Sequence, residues 1–152
     1  MNLLSGADKI PTTVQVEKMV AGGHALARIG SEIVFVDGVV PGERATIEQV
    51  GTHGGAKICR PLEIVESSPN RRKPMCPFFG ECGGCNWQHI AYPQQLQYKH
   101  DIFIECLKRT GKINSIPTVS VYPSPPDTYR FRVQIKIDHR SGAAGFFKRK
   151  TN

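Results

Sequence analysis

Three cysteines, Cys76, Cys82 and Cys85, fall within the run Arg71–His89, RRKPMCPFFGECGGCNWQH. No other stretch limits the fold as strongly. Three thiolates in one glycine-rich loop can converge on a soft metal centre, and such a loop has to be framed by regular elements on either side. Gly80, Gly83 and Gly84 let the backbone curl so that its N–H groups reach sulfur. Pro77, Phe78, Phe79 and Trp87 can keep water away. A closed site needs a fourth ligand. His89 would complete a tetrahedral zinc set, whereas an iron–sulfur cluster would need a further ligand from elsewhere, and the spacing leaves both open. Cys106 falls inside a predicted helix and is expected to be a core thiol.

The chain has 152 residues, enough for one medium domain or two small ones. Fifteen glycines and eleven prolines predict many turns. No apolar run is long enough to span a bilayer, and Met1–Pro11 lacks the charged-then-apolar pattern of a secretory signal. The expectation is a cytoplasmic protein with no membrane partner, in which clustered cysteines bind metal rather than pair as disulfides. The net charge of +7 is uneven. Residues 1–65 hold six Lys/Arg against seven Asp/Glu, whereas residues 66–152 hold fourteen against six. A basic excess on the half with the cysteines predicts a polyanionic partner, set against the plainer reading of solvated surface cations.

The fold class expected is mainly β with some α+β. Residues 9–66 are assigned to a small OB-like antiparallel barrel, 67–91 to the cysteine loop, and 92–152 to a helix and the start of an incomplete β domain. The first ten residues are expected to be a loose tail. Thr13–Lys18, Ala27–Ile29, Glu32–Val36, Arg44–Val50 and Lys57–Val65 are short β-type runs separated by turn residues. Glu43, after Pro41–Gly42, is expected to satisfy backbone donors or a nearby arginine. His24 and His53, in glycine-rich turns, are expected to be exposed. From Tyr92 the pattern turns helical, with a stripe of Leu96, Lys99, His100, Phe103, Ile104 and Leu107. Pro93 suits the first turn, and Gly111 suits a left-handed cap. Arg130–Asp138 alternates, with Phe131, Val133, Ile135 and Ile137 on one face, and is predicted to form a hairpin with Ala144–Lys148. The hairpin looks unfinished, which suggests the N-terminal part of something larger.

Candidate phosphate contacts are Arg71, Arg72, Lys73, Arg130, Arg132, Lys148, Arg149 and Lys150. With aromatics nearby to stack on unpaired bases, they are expected to contact RNA, and no DNA partner is expected.

The run C-P-F-F-G-E-C-G-G-C-N-W-Q-H, followed by Tyr92, Gln95 and Lys99, resembles the iron–sulfur segment of the RNA (uracil-C5) methyltransferase family. Gly22–Gly23, Ala27–Arg28, Val36–Asp37–Gly38 and Pro41–Gly42–Glu43 are similar to the family's N-terminal TRAM barrel, although Ala25 replaces a glycine common in that turn. Pro69, Arg71 and Pro74 resemble its linker, and Tyr129–Arg130–Phe131–Arg132 the opening of its central domain. The resemblance implies a [4Fe-4S] cluster held by Cys76, Cys82, Cys85 and a later cysteine. It implies a ribosomal or transfer RNA substrate, with 23S ribosomal RNA foremost, and S-adenosylmethionine as methyl donor in a separate catalytic domain. No catalytic residue is assigned within these 152 residues, so this chain alone is expected not to methylate RNA. The alternative is a stand-alone zinc-dependent RNA-binding module using Cys76, Cys82, Cys85 and His89.

Overall fold

The computed structural model describes residues 11–127 and 129–149. The expected N-terminal tail and Lys150 lie outside the described residues.

Five strands close into a barrel: β1 (Thr12–Met19), β2 (Ala25–Ile29), β3 (Glu32–Val36), β4 (Arg44–His53) and β5 (Ala56–Glu66). Their order around the barrel is β1-β2-β3-β5-β4, and β1 pairs with β4 to close it. The pairings are antiparallel except that β3 and β5 run parallel, Val34 opposite Lys57 and Val36 opposite Cys59. The expected antiparallel barrel is therefore present with one parallel seam. That seam arises because β4 leaves β3 to cross to β1, and β5 returns into the gap. The β4–β5 hairpin turns on Gly54 and Gly55, both at positive φ (58° and 81°), the pair a tight two-residue hairpin turn favours.

Alternation places the core. Val14 and Val16 of β1 point inward, and a register shift between Val16 and Lys18 resets the alternation so that Met19 also faces in. Ala25, Ala27, Val34, Val36, Ala45, Ile47 and Cys59 complete the lining. These are mostly small side chains, so the barrel is narrow. Ile90, from the segment after the cysteines, is fully buried in the same core. Burying one such side chain contributes roughly 1.5–3 kcal/mol, which ties the loop's end to the barrel.

Helix α1 spans Tyr92–Arg109, with a proline in its first turn and Lys108 and Arg109 in its last, as expected. Three details of it differ from the sequence reading. The residue at positive φ after the helix is Lys112 (φ 55°), not Gly111. Gly111 instead lies so close to the Leu107 carbonyl that a Cβ would come within 2.7 Å of it. The contact face also differs. Tyr98 and Ile102 pack against the barrel core, Tyr98 edge-on to Trp87 at 6.4 Å between ring centroids, while Phe103 of the predicted stripe is 49% exposed. Trp87 and β1, to which Lys18 contributes a 2.8 Å ion pair with Glu105, choose the face. Cys106 is exposed rather than in the core.

The terminal hairpin is much shorter than expected. Only β6 (Lys136–Ile137) and β7 (Ala144–Gly145) pair. Asp138 caps the turn, accepting from Ser141 Oγ at 2.6 Å and from the Arg140 N–H at 3.0 Å. Arg130–Ile135 forms no strand, and Phe131 is 97% exposed. Alternation marks a face fit for burial, but a strand needs partners along its edge and a layer over that face. Among the described residues no helix is long and apolar enough to cross a membrane.

Candidate nucleic-acid interface and cysteine loop

The cysteine loop is clamped to the barrel at its start. Glu43, in the Pro-Gly-Glu turn before β4, has no exposed surface. Its carboxylate accepts from Arg71 Nε at 2.6 Å and Arg71 Nη2 at 2.7 Å, from the Val40 N–H at 2.8 Å and from the Ser68 N–H at 3.3 Å. Burial pushes this carboxyl up, but the Arg71 hydrogen bonds, the Val40 N–H and the Arg71 charge outweigh it and hold Glu43 below the ordinary carboxylate range. The expected role of Glu43 is what the structure shows. Arg71 also donates to the Gly38 carbonyl at 2.8 Å. One position along, the Arg72 N–H donates to the His89 carbonyl at 2.9 Å and its Nε to the Gln88 carbonyl at 2.9 Å.

The far end of the loop is fixed as firmly. Trp87 Nε1 donates to the Gly23 carbonyl at 3.1 Å, and Gln95 Nε2 donates to the carbonyls of Trp87 and Ile90. His89 is buried against Phe79, and its Nε2–H donates to the Val39 carbonyl at 3.2 Å. Its Nδ1 is buried and has no hydrogen-bond partner among the described residues. Burial, reinforced by the Arg71 charge and only partly opposed by the Val39 carbonyl, holds the His89 imidazole below its usual value and therefore neutral.

Between these anchors lie the thiols. Cys76 and Cys82 are half-buried and Cys85 is exposed. The Gly84 N–H donates to Cys82 Sγ at 3.4 Å, the kind of amide–sulfur contact an iron–sulfur site uses. The donor set, three thiols in one loop, suits a soft metal, but its members are not gathered. Among the described residues no three His, Cys, Asp or Glu side chains converge closely enough to hold a metal ion. The zinc reading gains no support either, since His89 is not gathered with the three cysteines into such a set. Cys59 is a barrel-core thiol whose burial pushes its pKa up to about 11, which leaves it unreactive.

Beside the loop, the Gly83 N–H donates to the Phe147 carbonyl at 3.0 Å, and the Arg149 N–H donates to the Glu81 carbonyl at 2.7 Å. These bonds bring the terminal hairpin against the cysteine loop and open a cleft of 420 Å³ between them and the Gly22–His24 turn. Lys136, Lys148, Arg149 and Phe146 line one side, and His24 and Asn86 the other. His24 Nδ1 is bonded to Asp37 Oδ1, and the Arg149 guanidinium lies 3.6 Å from the same oxygen.

The expected phosphate contacts therefore divide. Lys148 and Arg149 line the cleft. Lys73, Arg130 and Arg132 are exposed elsewhere. Arg71 and Arg72 are engaged inside the chain, Arg71 with Glu43 and Arg72 with Gln88 and, at 3.6 Å, Asp127. Sequence reasoning missed the His24–Asp37 pair and left His24 as an exposed residue, whereas it is half-buried. The signal was available in the β2–β3 hairpin: its register pairs Ala25 with Val36, so the next positions outward are 24 and 37. Lys136 in the cleft wall was read only as part of a strand face.

No family model matches the chain. It is 39% identical over 139 residues to a protein of Aquifex aeolicus named an uncharacterized RNA methyltransferase, covering 91% of this chain and 32% of that protein. An uncharacterized RNA methyltransferase of Bdellovibrio bacteriovorus is 34% identical over 139 residues, covering 91% of this chain and 35% of the relative. A Thiobacillus denitrificans protein named a 23S rRNA (uracil(1939)-C(5))-methyltransferase is 31% identical over 134 residues, covering 86% of this chain and 31% of the relative. The chain spans about one third of the length of these relatives.

Proposed function

We propose that this chain is the RNA-engaging portion of a cytoplasmic, S-adenosylmethionine-dependent RNA (uracil-C5) methyltransferase acting on 23S ribosomal RNA. The observation behind this reading is the basic, aromatic-lined cleft where barrel, cysteine loop and hairpin meet, in a chain whose relatives bear RNA methyltransferase names. The barrel and loop form one rigid support through Glu43–Arg71, Trp87–Gly23 and Ile90. Lys136, Lys148, Arg149 and the exposed Lys73 offer cations to a phosphate backbone, and Phe146 and Phe147 offer ring faces to unpaired bases. Methyl transfer belongs to the complete enzyme.

In the same reading, Cys76, Cys82 and Cys85 would be three of the ligands of a [4Fe-4S] cluster. Bound there, the cluster would supply a covalent staple for the loop and a redox-active centre beside the RNA path. The chain's own part is to hold the loop at both ends, to anchor it through Phe79 on His89 and Trp87 on Tyr98, and to direct the Gly84 N–H at sulfur.

RNA binding is tested by fluorescence anisotropy with a uridine-containing single strand at several salt concentrations. With about four phosphates contacted at a slope near −0.7 per contact, affinity falls roughly 50-fold between about 50 and 200 mM salt. Absence of binding at low salt, or affinity indifferent to salt, overturns the proposal.

A further inference from the structure

The cleft at the seam is more than a basic strip. Its 420 Å³ lies within the roughly 300–1,000 Å³ of sites that take one small ligand. Its two walls are chemically different. The hairpin wall presents Phe146, 54% exposed, with Lys136 and Lys148 beside it. The barrel wall presents His24 and Asn86, two groups suited to hydrogen bonding. His24 is held in one orientation. Asp37 is largely buried, sits between His24 Nδ1 and Arg149, and as a carboxylate accepts the Nδ1 proton. That leaves Nε2 as the ring's second hydrogen-bonding atom, free of the Asp37 contact. The Cδ2–Nε2 edge lies over Gly22, which is also part of the cleft wall, where a Cβ would stand 3.4 Å from Cδ2 and 3.8 Å from Nε2. Asn86 supplies an amide donor and a carbonyl acceptor, and its side chain packs over Gly23.

A ring to stack on, cations for a phosphate, and an oriented imidazole beside a carboxamide together match a single nucleotide. We propose that this cleft is a subsite for one unpaired nucleotide of single-stranded RNA, its base stacked on Phe146 and read at its edge by His24 and Asn86, its phosphate held by Lys136 and Lys148. The inference rests on the RNA-binding reading above and adds base selection at a place separate from methyl transfer. Asp37 is a positioning residue that acts through His24.

The test uses the full chain with short single-stranded homopolymers of uridine, adenosine or cytidine, followed by anisotropy at two salt concentrations. The wild type is expected to prefer one base. Phe146→Ala should weaken binding of all three about tenfold, in line with the loss of one base–aromatic stack. His24→Ala and Asn86→Ala should equalise the three affinities while leaving the salt dependence unchanged, and Lys136→Ala with Lys148→Ala should make that dependence shallower. Phe146 and Asn86 are exposed, so those two variants keep the fold. As a second readout, 4-thiouridine placed in the strand should photocrosslink within residues 144–149. RNA binding that is untouched by these substitutions, or that crosslinks only elsewhere, overturns the subsite and leaves RNA binding standing. No binding of any strand by the wild type overturns both.

Discussion

Glu43 shows how much one side chain decides here. It is fully buried, yet charged, because four donors from Arg71, Val40 and Ser68 surround it. Replacing it by glutamine leaves the Arg71 guanidinium without its counter-charge. Breaking a buried pair costs about 3–5 kcal/mol, and because Arg71 keeps some solvent contact the lower figure applies. Glu43→Gln is therefore expected to lose about 3 kcal/mol in urea unfolding, and Glu43→Gln with Arg71→Met less than the sum of the two single changes. Additive losses would show that the pair is not coupled. The pH response follows from the same neighbourhood. Both Glu43 and His89 are held below their ordinary values, so the unfolded chain takes up protons first and stability falls on acidification. For His89 the loss begins as pH drops through about 6.5, its unfolded value, and continues to the lower folded value; for Glu43 it begins near about 4.3. Thermal melts between these values should show a falling Tm in the wild type and a flatter profile in His89→Leu. An identical slope in both would remove His89 from the account. The acid pair was legible as a turn glutamate seeking an arginine, but the neutral buried state of His89 was not, because nothing in its sequence neighbours specifies that the Val39 carbonyl will face it.

At the scale of elements, the barrel strands were readable almost residue by residue, since period-two alternation between turn signals is a local property. The exceptions are informative. The parallel β3–β5 seam depends on which strand fills a gap after β4 has crossed, a long-range matter. The helix stripe was misjudged because Tyr98 and Ile102, not Phe103, meet the barrel and Trp87. The Arg130–Asp138 alternation was real as a pattern and did not become a strand beyond β6. The joint between barrel and cysteine loop is itself testable. Gly23 sits at φ 88°, and a Cβ there would come within 3.0 Å of the Asn86 carboxamide and 3.3 Å of its Cβ. Gly23→Ala should cost about 1–2 kcal/mol from backbone strain alone. It should also loosen the Trp87 hydrogen bond, which a red shift in Trp87 fluorescence would report. Unchanged stability and emission would mean that the turn does not hold the loop.

For the whole molecule, the barrel, loop and hairpin act as three walls of one cleft, to which the cysteine loop contributes Gly83 and Gly84. If Cys76, Cys82 and Cys85 ligate a cluster, anaerobic reconstitution with iron and sulfide should give a brown protein with bound iron and sulfide. Changing all three cysteines to alanine should abolish both. Equal iron in the substituted protein, or a colourless wild type that takes up only zinc, would refute the iron–sulfur assignment. Reconstitution should also raise the Tm, because a bound centre that prefers the folded loop stabilises it by mass action.

The sequence by itself determined the barrel strands, the helix, the thiol-rich loop between them and the basic bias of the second half. Each of these is written in local spacing or composition, where the physics reaches only a few residues. Tertiary structure alone decided which cations remain available. Arg71 looked like a phosphate ligand and is spent on Glu43, while Lys136 looked like a strand residue and lines the cleft. It also brought His24 to Asp37 and the Gly83 amide to Phe147, contacts between segments that sequence spacing leaves unrelated until the chain has folded.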